Sequence, residues 1–202
     1  ELSLYLDGNY SKNGIETRVL RIPGVTEIEC RTSSRVEAVN SDGTKGTAFN
    51  LQGLSPESAF MKPDITSGRW LLNTDKNVLV VTSALLKDLP GVDVGDNLTL
   101  TFNGQERDWE VAGIIPELYE KIGYANFDYL SRVQGTPGSA STLLVRMGAD
   151  SGHSQSEIAE MIENQLKKSG VMVSGFMTRD TIASSLTNRN DFLITFLMIM
   201  AI

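Results

Sequence analysis

The chain has 202 residues, 41% of them hydrophobic and 21% charged, and carries a formal net charge of −7. That length supports one large domain or two small ones with a real core. The acidic balance leaves no basic stripe for nucleic acid, and a lone cysteine, Cys30, excludes an intrachain disulfide.

The opening stretch ELSLYLDGNYSKNG has neither a basic n-region nor an apolar h-region, so export targeting is expected upstream of Glu1. Within it, Leu2–Asp7 alternates apolar and polar residues as a strand does. Ile15, Val19 and Ile22 fall at helical spacing, and Pro23-Gly24 ends that helix. Val25–Val39 alternates as one long strand, and residues 40–46 (NSDGTKG) have turn composition.

The middle of the chain has a different texture. Asn77–Val81 reads as a short buried strand, Thr82 as the cap of a brief helix over Ser83–Leu89, and Pro90–Asp96 as a turn-rich link. Leu98–Phe102 and Asp108–Ile115 flank Asn103-Gly104, the dipeptide that supplies the positive φ angles of a tight hairpin. Tyr124–Leu130 is expected to add a strand, and 135–141 to lead onward.

The last part repeats the first. Ser141–Met147 is a strand, and Ser154 with Glu157 forms a capping box. Ile158, Met161, Ile162, Gln165 and Leu166 make an amphipathic face, Gly170 stops the helix, and Val171–Met177 returns as a strand. LRIPGV (Leu20–Val25) and LKKSGV (Leu166–Val171) share a pattern at the same helix-to-strand junction. Structural duplication, or two unrelated βαβ-like units with one stop signal, accounts for it. The architecture expected is α+β: an outer lobe split in sequence, with a β-rich insertion between its halves.

From Phe192 to Ile202 only Thr195 interrupts an apolar run. A core helix, an interfacial anchor and part of a membrane span compete for it. Eleven residues cover about 16 Å as a helix against roughly 30 Å of hydrocarbon. Yet the run has no polar face and no cap, glycine or basic flank, which favours a membrane helix.

Converging reactive groups are missing. His153, the single histidine, sits in the polar loop DSGHSQS and reads as a solvated residue near a helix start. One histidine and one cysteine exclude a His/Cys zinc site, and Cys30 on its strand reads as a small buried residue. No nucleophile elbow, phosphate loop or dinucleotide fingerprint occurs. Asp93, Asp96, Glu106, Asp108 and Glu110 read as a solvated face, and Trp70 and Trp109 as core. Glu117–Lys121 (ELYEK), a charged loop with an aromatic, is a candidate contact surface. This inventory favours a protein that binds, transmits or positions over an enzyme, and it names no catalytic, cofactor or metal residue.

DITSGRWL (Asp64–Leu71), NVLVVTSALLKDL (Asn77–Leu89), VGDNLTLTFNG (Val94–Gly104) and WEVAGIIPE (Trp109–Glu117), in that order, resemble the extracytoplasmic core domain of MacB/FtsX-type ABC transporter permeases. ANFDYL and STLLVRM resemble the segments that follow there. The resemblance implies a porter-like lobe of two βαβ units (residues 1–45 and 141–185) around a β-rich, Sabre-like insertion (46–140). A second transmembrane helix would then begin at 186–202, and a first would precede Glu1. It further implies a position in the cell membrane, with this domain on the extracytoplasmic side. The implied partners are a cytoplasmic ABC ATPase, a second permease subunit, and an adaptor or substrate outside the membrane. Asn40–Pro63 departs most from the family pattern, and partner or substrate preference is expected there. The competing reading is a free-standing or C-terminally anchored extracytoplasmic binding or adaptor module.

Overall fold

The computed structural model describes residues 1–40, 42–117, 119–148 and 152–178. The expected membrane segment at 186–202 lies outside the described residues, as does the end of the second half-lobe. Among the described residues no helix is long and apolar enough to cross a membrane. In chain order the elements are β1 (Leu2–Ser11), α1 (Lys12–Val19), β2 (Val25–Val39), β3 (Lys45–Leu54), β4 (Ser67–Gly68) and β5 (Val78–Thr82). There follow α2 (Ser83–Leu86), β6 (Asn97–Phe102), β7 (Gln105–Ile115), β8 (Ile122–Asn126), α3 (Phe127–Val133), β9 (Ser139–Met147), α4 (Gln155–Lys167) and β10 (Val173–Thr178).

The first and last parts of the chain build one lobe. Its sheet runs β10-β1-β9-β2, and every neighbouring pair is antiparallel. β1 and β2 therefore run parallel with β9 between them, while β9 and β10 run parallel with β1 between them. Two βαβ units are interlocked, the split-βαβ arrangement. Alternation explains which face is covered: Leu2 and Leu4 of β1 and Leu143 and Val145 of β9 turn inward. They meet Ile15 and Val19 of α1 and Ile158, Ile162 and Leu166 of α4. The capping box at the start of α4 is complete: the Ser154 hydroxyl accepts from Glu157 N at 3.2 Å, and Ser154 N donates to Glu157 Oε2 at 2.7 Å.

Gly170 (φ 77°) stops α4 in the left-handed conformation, with Val171 N donating to the Leu166 carbonyl at 3.1 Å. α1, by contrast, already ends at Val19, and Gly24 (φ 88°) belongs to a separate turn in which Val25 N donates to the Ile22 carbonyl at 3.2 Å. The shared wording therefore falls at matching helix-to-strand junctions but does not act as one stop: the expected end of the first helix at Pro23-Gly24 comes four residues after the helix has finished. The leucines that open the two stretches are not equivalent, because Leu20 is exposed and Leu166 is buried.

β2 leaves this lobe without a break. Val25–Arg31 pairs with β9, and Thr32–Val39 pairs with β3. The exchange of partners falls inside a strand, well before residue 45. From there the ladder closes on itself: β2 pairs β3, β3 pairs β8, β8 pairs β5, β5 pairs β7, β7 pairs β6, and β6 returns to β2 at Glu37 and Ala38. The β-rich insertion is a six-stranded barrel, which leaves no edge along that ring. Its interior holds Val36, Phe49, Leu51, Leu79, Val81, Leu100, Val111 and Trp109, the last fully buried. β5 and β8 are antiparallel, so the helices that follow them close opposite ends, with Leu85 of α2 and Leu130 of α3 entering the core.

The hairpin turn has the expected geometry, with Asn103 at φ 46° and Gly104 at φ 80°. Thr82 caps α2, its hydroxyl accepting from Leu85 N at 3.3 Å. Tyr124–Leu130 is only partly a strand. β8 ends at Asn126, whose side chain accepts from Tyr129 N at 3.1 Å and starts α3. β5 and β8 are buried on both faces because residues 55–77 cross the outside of the barrel as a strap. Its Met61, Ile65, Trp70 and Leu71 cover Val78, Val80, Ile122 and Tyr124. The strap closes by its own polar contacts: Trp70 Nε1 donates to the Pro56 carbonyl at 3.1 Å, and Arg69 grips Asp75 with two bonds of 2.8 and 3.0 Å.

Three outcomes test this packing. In equilibrium urea unfolding, Trp109→Ala should cost about 3–5 kcal/mol, as expected for an emptied aromatic site. Gly113→Ala should cost about 1–3 kcal/mol, because its methyl would lie 2.2 Å from the Arg69 carbonyl oxygen where β4 crosses β7. The backbone amide of Ser154, with help from its hydroxyl, holds the Glu157 carboxyl below its ordinary value. A lowered folded-state value means the cap contributes fully above the ordinary glutamate value and is lost as pH falls through the folded value. The urea midpoint of Glu157→Gln should therefore fall less steeply than that of the parent from about pH 6 to about pH 3.

Candidate functional site

Where the two lobes meet, they leave a groove of about 800 Å³. One wall is the sheet face that α1 and α4 do not cover. Alternation puts Ser3 and Tyr5 of β1, Thr142 and Leu144 of β9 and Arg31 of β2 on it. The other wall is the outside of the barrel: Phe49 and Leu51 point into the barrel core, so Asn50 and Gln52 of β3 face out. Glu120 and Lys121, after β7, and Phe60 and Met61 of the strap also line it.

The electrostatics of the groove are nearly self-cancelling. Arg31 Nε lies 2.7 Å from Glu29 Oε1, and Glu29 is only 8% exposed, so this pair is well sheltered from solvent. Lys121 is paired with Asp88. At the floor, the buried Thr32 hydroxyl donates to Gln134 Oε1 at 2.7 Å, tying the crossing point of β2 to the residue after α3. The strap is fastened to the open sheet by Arg146, which is paired with Glu27, donates to the Ala59 carbonyl at 2.9 Å and lies 4.7 Å from the Phe60 ring centre. The described lining holds neither histidine nor cysteine. Its groups are suited to binding through hydrogen bonds and an aromatic face, with no nucleophile and base in contact.

The residues singled out in the sequence do not assemble here. His153 lies just before the α4 cap, on an exposed loop. Cys30 is buried in the core of the split lobe. Asp93, Asp96, Glu106, Asp108 and Glu110 are exposed, with Asp96 accepting from Asp93 N at 2.8 Å and Asp108 from the Thr99 hydroxyl at 2.6 Å. Among the described residues no three acidic, histidine or cysteine side chains gather as a metal site would need. Trp109 is core, and Trp70 packs from the strap onto Tyr124 of the barrel. The Glu117–Lys121 loop comes closest to the groove: it puts Tyr119 out at 89% exposure, while Glu120 and Lys121 enter the lining.

Asn50, Gln52, Phe60 and Met61 were invisible as site residues. All four belong to Asn40–Pro63, the stretch without a recognisable pattern. A signal for β3 existed in the alternation of Phe49 and Leu51 with Asn50 and Gln52, but Gly46 and Gly53 cut it short.

No protein-family model matches the sequence, and no curated protein matches it. Solved structures do share the fold. The periplasmic region of MacB from Actinobacillus actinomycetemcomitans superposes with a TM-score of 0.64 at 16% identity, over 93% of this chain and 92% of that one. The extracellular domain of the ABC-type transporter YknZ from Gram-positive bacteria gives 0.62 at 19% identity, over 86% and 98%. At such identities the likeness establishes the architecture, the one the sequence resemblance implied.

Burial pushes the Cys30 thiol up to about 12, and the nearby Glu16 carboxylate adds to the effect. The native chain should therefore resist an aromatic disulfide reagent at neutral pH and react with one equivalent once unfolded in urea. Rapid labelling of the native state would contradict the packing described for the split lobe.

Proposed function

We propose that this chain is the extracytoplasmic domain of an ABC transporter permease subunit, held at the outer side of a cell membrane. In this reading it transmits ATP-driven conformational change to an exported substrate or an extracytoplasmic partner. The observation that carries the reading is the fold shared with the MacB periplasmic region across nearly the full length of both chains. Its partners would be a cytoplasmic ATPase and a second permease subunit.

Two features of the molecule support the mechanical part. Leu2 pairs directly with Thr178, so β1 enters and β10 leaves the sheet side by side. A domain with neighbouring ends can hang from two adjacent membrane segments without spanning a gap. Displacement applied at β1 and β10 passes across the hydrogen-bonded ladder to β9 and then to β2. β2 runs on into the barrel, so motion of the split lobe carries the barrel with it, and the fastening of Ala59 and Phe60 at Arg146 adds a second tie. Coupling of this kind needs a stiff connector between two bodies.

The test uses the full-length protein in its own membrane. It should fractionate with membranes, be cleaved by protease added from outside, and bring an ATPase with it on purification. Recovery in a soluble fraction without an ATPase would overturn the assignment. Softening β2 with Ser33→Gly and Ser34→Gly should leave basal ATP hydrolysis unchanged and lower transport per ATP at least about fivefold. Unchanged transport per ATP would remove β2 from the transmission path.

A further inference from the structure

The walls of the inter-lobe groove restrict what it can hold. At Ser3, Tyr5, Thr142, Asn50 and Gln52 the backbone is paired with a neighbouring strand on either side. No free strand edge is offered there, so an extended peptide cannot add itself to these walls by main-chain bonds. Charge is restricted too. Arg31 is matched by Glu29 and Lys121 by Asp88, while Glu120 adds negative charge to the lining. A phosphate or carboxylate ligand would meet no unmatched cation among the described lining residues. An acyl chain would be a poor occupant for the opposite reason. It would strand the amides of Asn50 and Gln52 and the hydroxyls of Ser3 and Thr142 at about 1–3 kcal/mol for each group left buried without a partner.

What remains is an uncharged ligand rich in hydroxyl groups that also carries an apolar face. Asn50 and Gln52 sit two residues apart on one face of β3, so their amides project in parallel, and each offers donors and an acceptor. None of these amides or of the Ser3 and Thr142 hydroxyls is hydrogen-bonded to another described side chain. Across the groove, Tyr5 is 42% exposed and presents an aromatic ring. Ring hydroxyls bonded to amides, with a C–H face laid on an aromatic, is how a pyranose is held without charge. We infer that the inter-lobe groove binds a neutral oligosaccharide, with Asn50 and Gln52 hydrogen-bonding its hydroxyls and Tyr5 stacking on its apolar face. A volume of about 800 Å³ accommodates a short chain of sugar rings. The inference does not rest on the transporter reading, because it uses only the lining of the groove.

The probes are maltotriose, cellotriose and chitotriose, added separately to the 15N-labelled full chain and followed by amide NMR. The expected result is saturable movement of the Asn50 and Gln52 side-chain amide signals with at least one of them, with a dissociation constant near about 1 mM. Asn50→Ala, Gln52→Ala and Tyr5→Ala should each weaken that binding about tenfold while the remaining spectrum is preserved. All three positions are surface-facing, so the variants are expected to fold. The inference is overturned if none of the sugars moves those signals at about 20 mM, or if binding is unaltered in the three variants. It is equally overturned if inorganic phosphate or a neutral phospholipid vesicle shifts the same amides and the sugars do not.

Discussion

β2 has to satisfy two sheets with one register. Its first half lies against β9 in the split lobe and its second half against β3 and β6 in the barrel, with no turn between. Because side chains alternate with a period of two, a slip by one residue would turn Cys30 out of one core and Val36 and Ala38 out of the other at once. Two independent hydrophobic clusters therefore fix the same strand. The junction is sealed tightly around it: a methyl on Gly53 would lie 2.8 Å from Thr32 and 3.1 Å from Leu130. A hydrogen-bonded strand that crosses such a joint makes the relative placement of the lobes a property of backbone geometry as well as of surface contact.

The groove follows from this construction. A split-βαβ sheet has helices on one face only, and the barrel is carried past the other face by β2. The exposed face is then left opposite the outer wall of β3, with the strap lying across the gap. The strap serves two bodies: Trp70 and Leu71 shield the outside of the barrel, and Ala59 and Phe60 touch Arg146 on the split lobe. Burying β5 on both faces also explains why it reads as a short apolar run, where the half-exposed β1 alternates.

Local chemistry made much of the fold legible. Asn103-Gly104, Ser154 with Glu157, Thr82 before its helix, and the glycines after α1 and α4 each satisfy a backbone requirement that neighbouring residues impose. The long alternation of Val25–Val39 also corresponds to one strand. Long-range pairing was not legible in the same way. Nothing near Glu37 announces that β6 closes a ring onto it, and nothing in Asn50 or Gln52 announces an opposing Tyr5 more than forty residues away. Asn126 shows the limit of pattern alone: an apolar–polar run continued past it, but its side chain capped a helix and ended the strand. The groove was illegible because its walls come from six separated stretches that meet only after both lobes have formed.

The order of strands in the split lobe also bears on synthesis. β1 precedes the other described elements, yet Leu2 pairs with Val145 and Thr178, late in the described chain. The barrel strands, by contrast, lie together between the second half of β2 and β8, with the β6–β7 hairpin already adjacent. Loop-closure entropy and the direction of translation both favour the barrel as the first body to form. Until β9 emerges, β1 has neither of its strand partners, and Leu2, Leu4 and Leu6 have only Ile15 and Val19 of α1 close in sequence to pack against. β1 is thus the strand most in need of protection until β9 and β10 arrive.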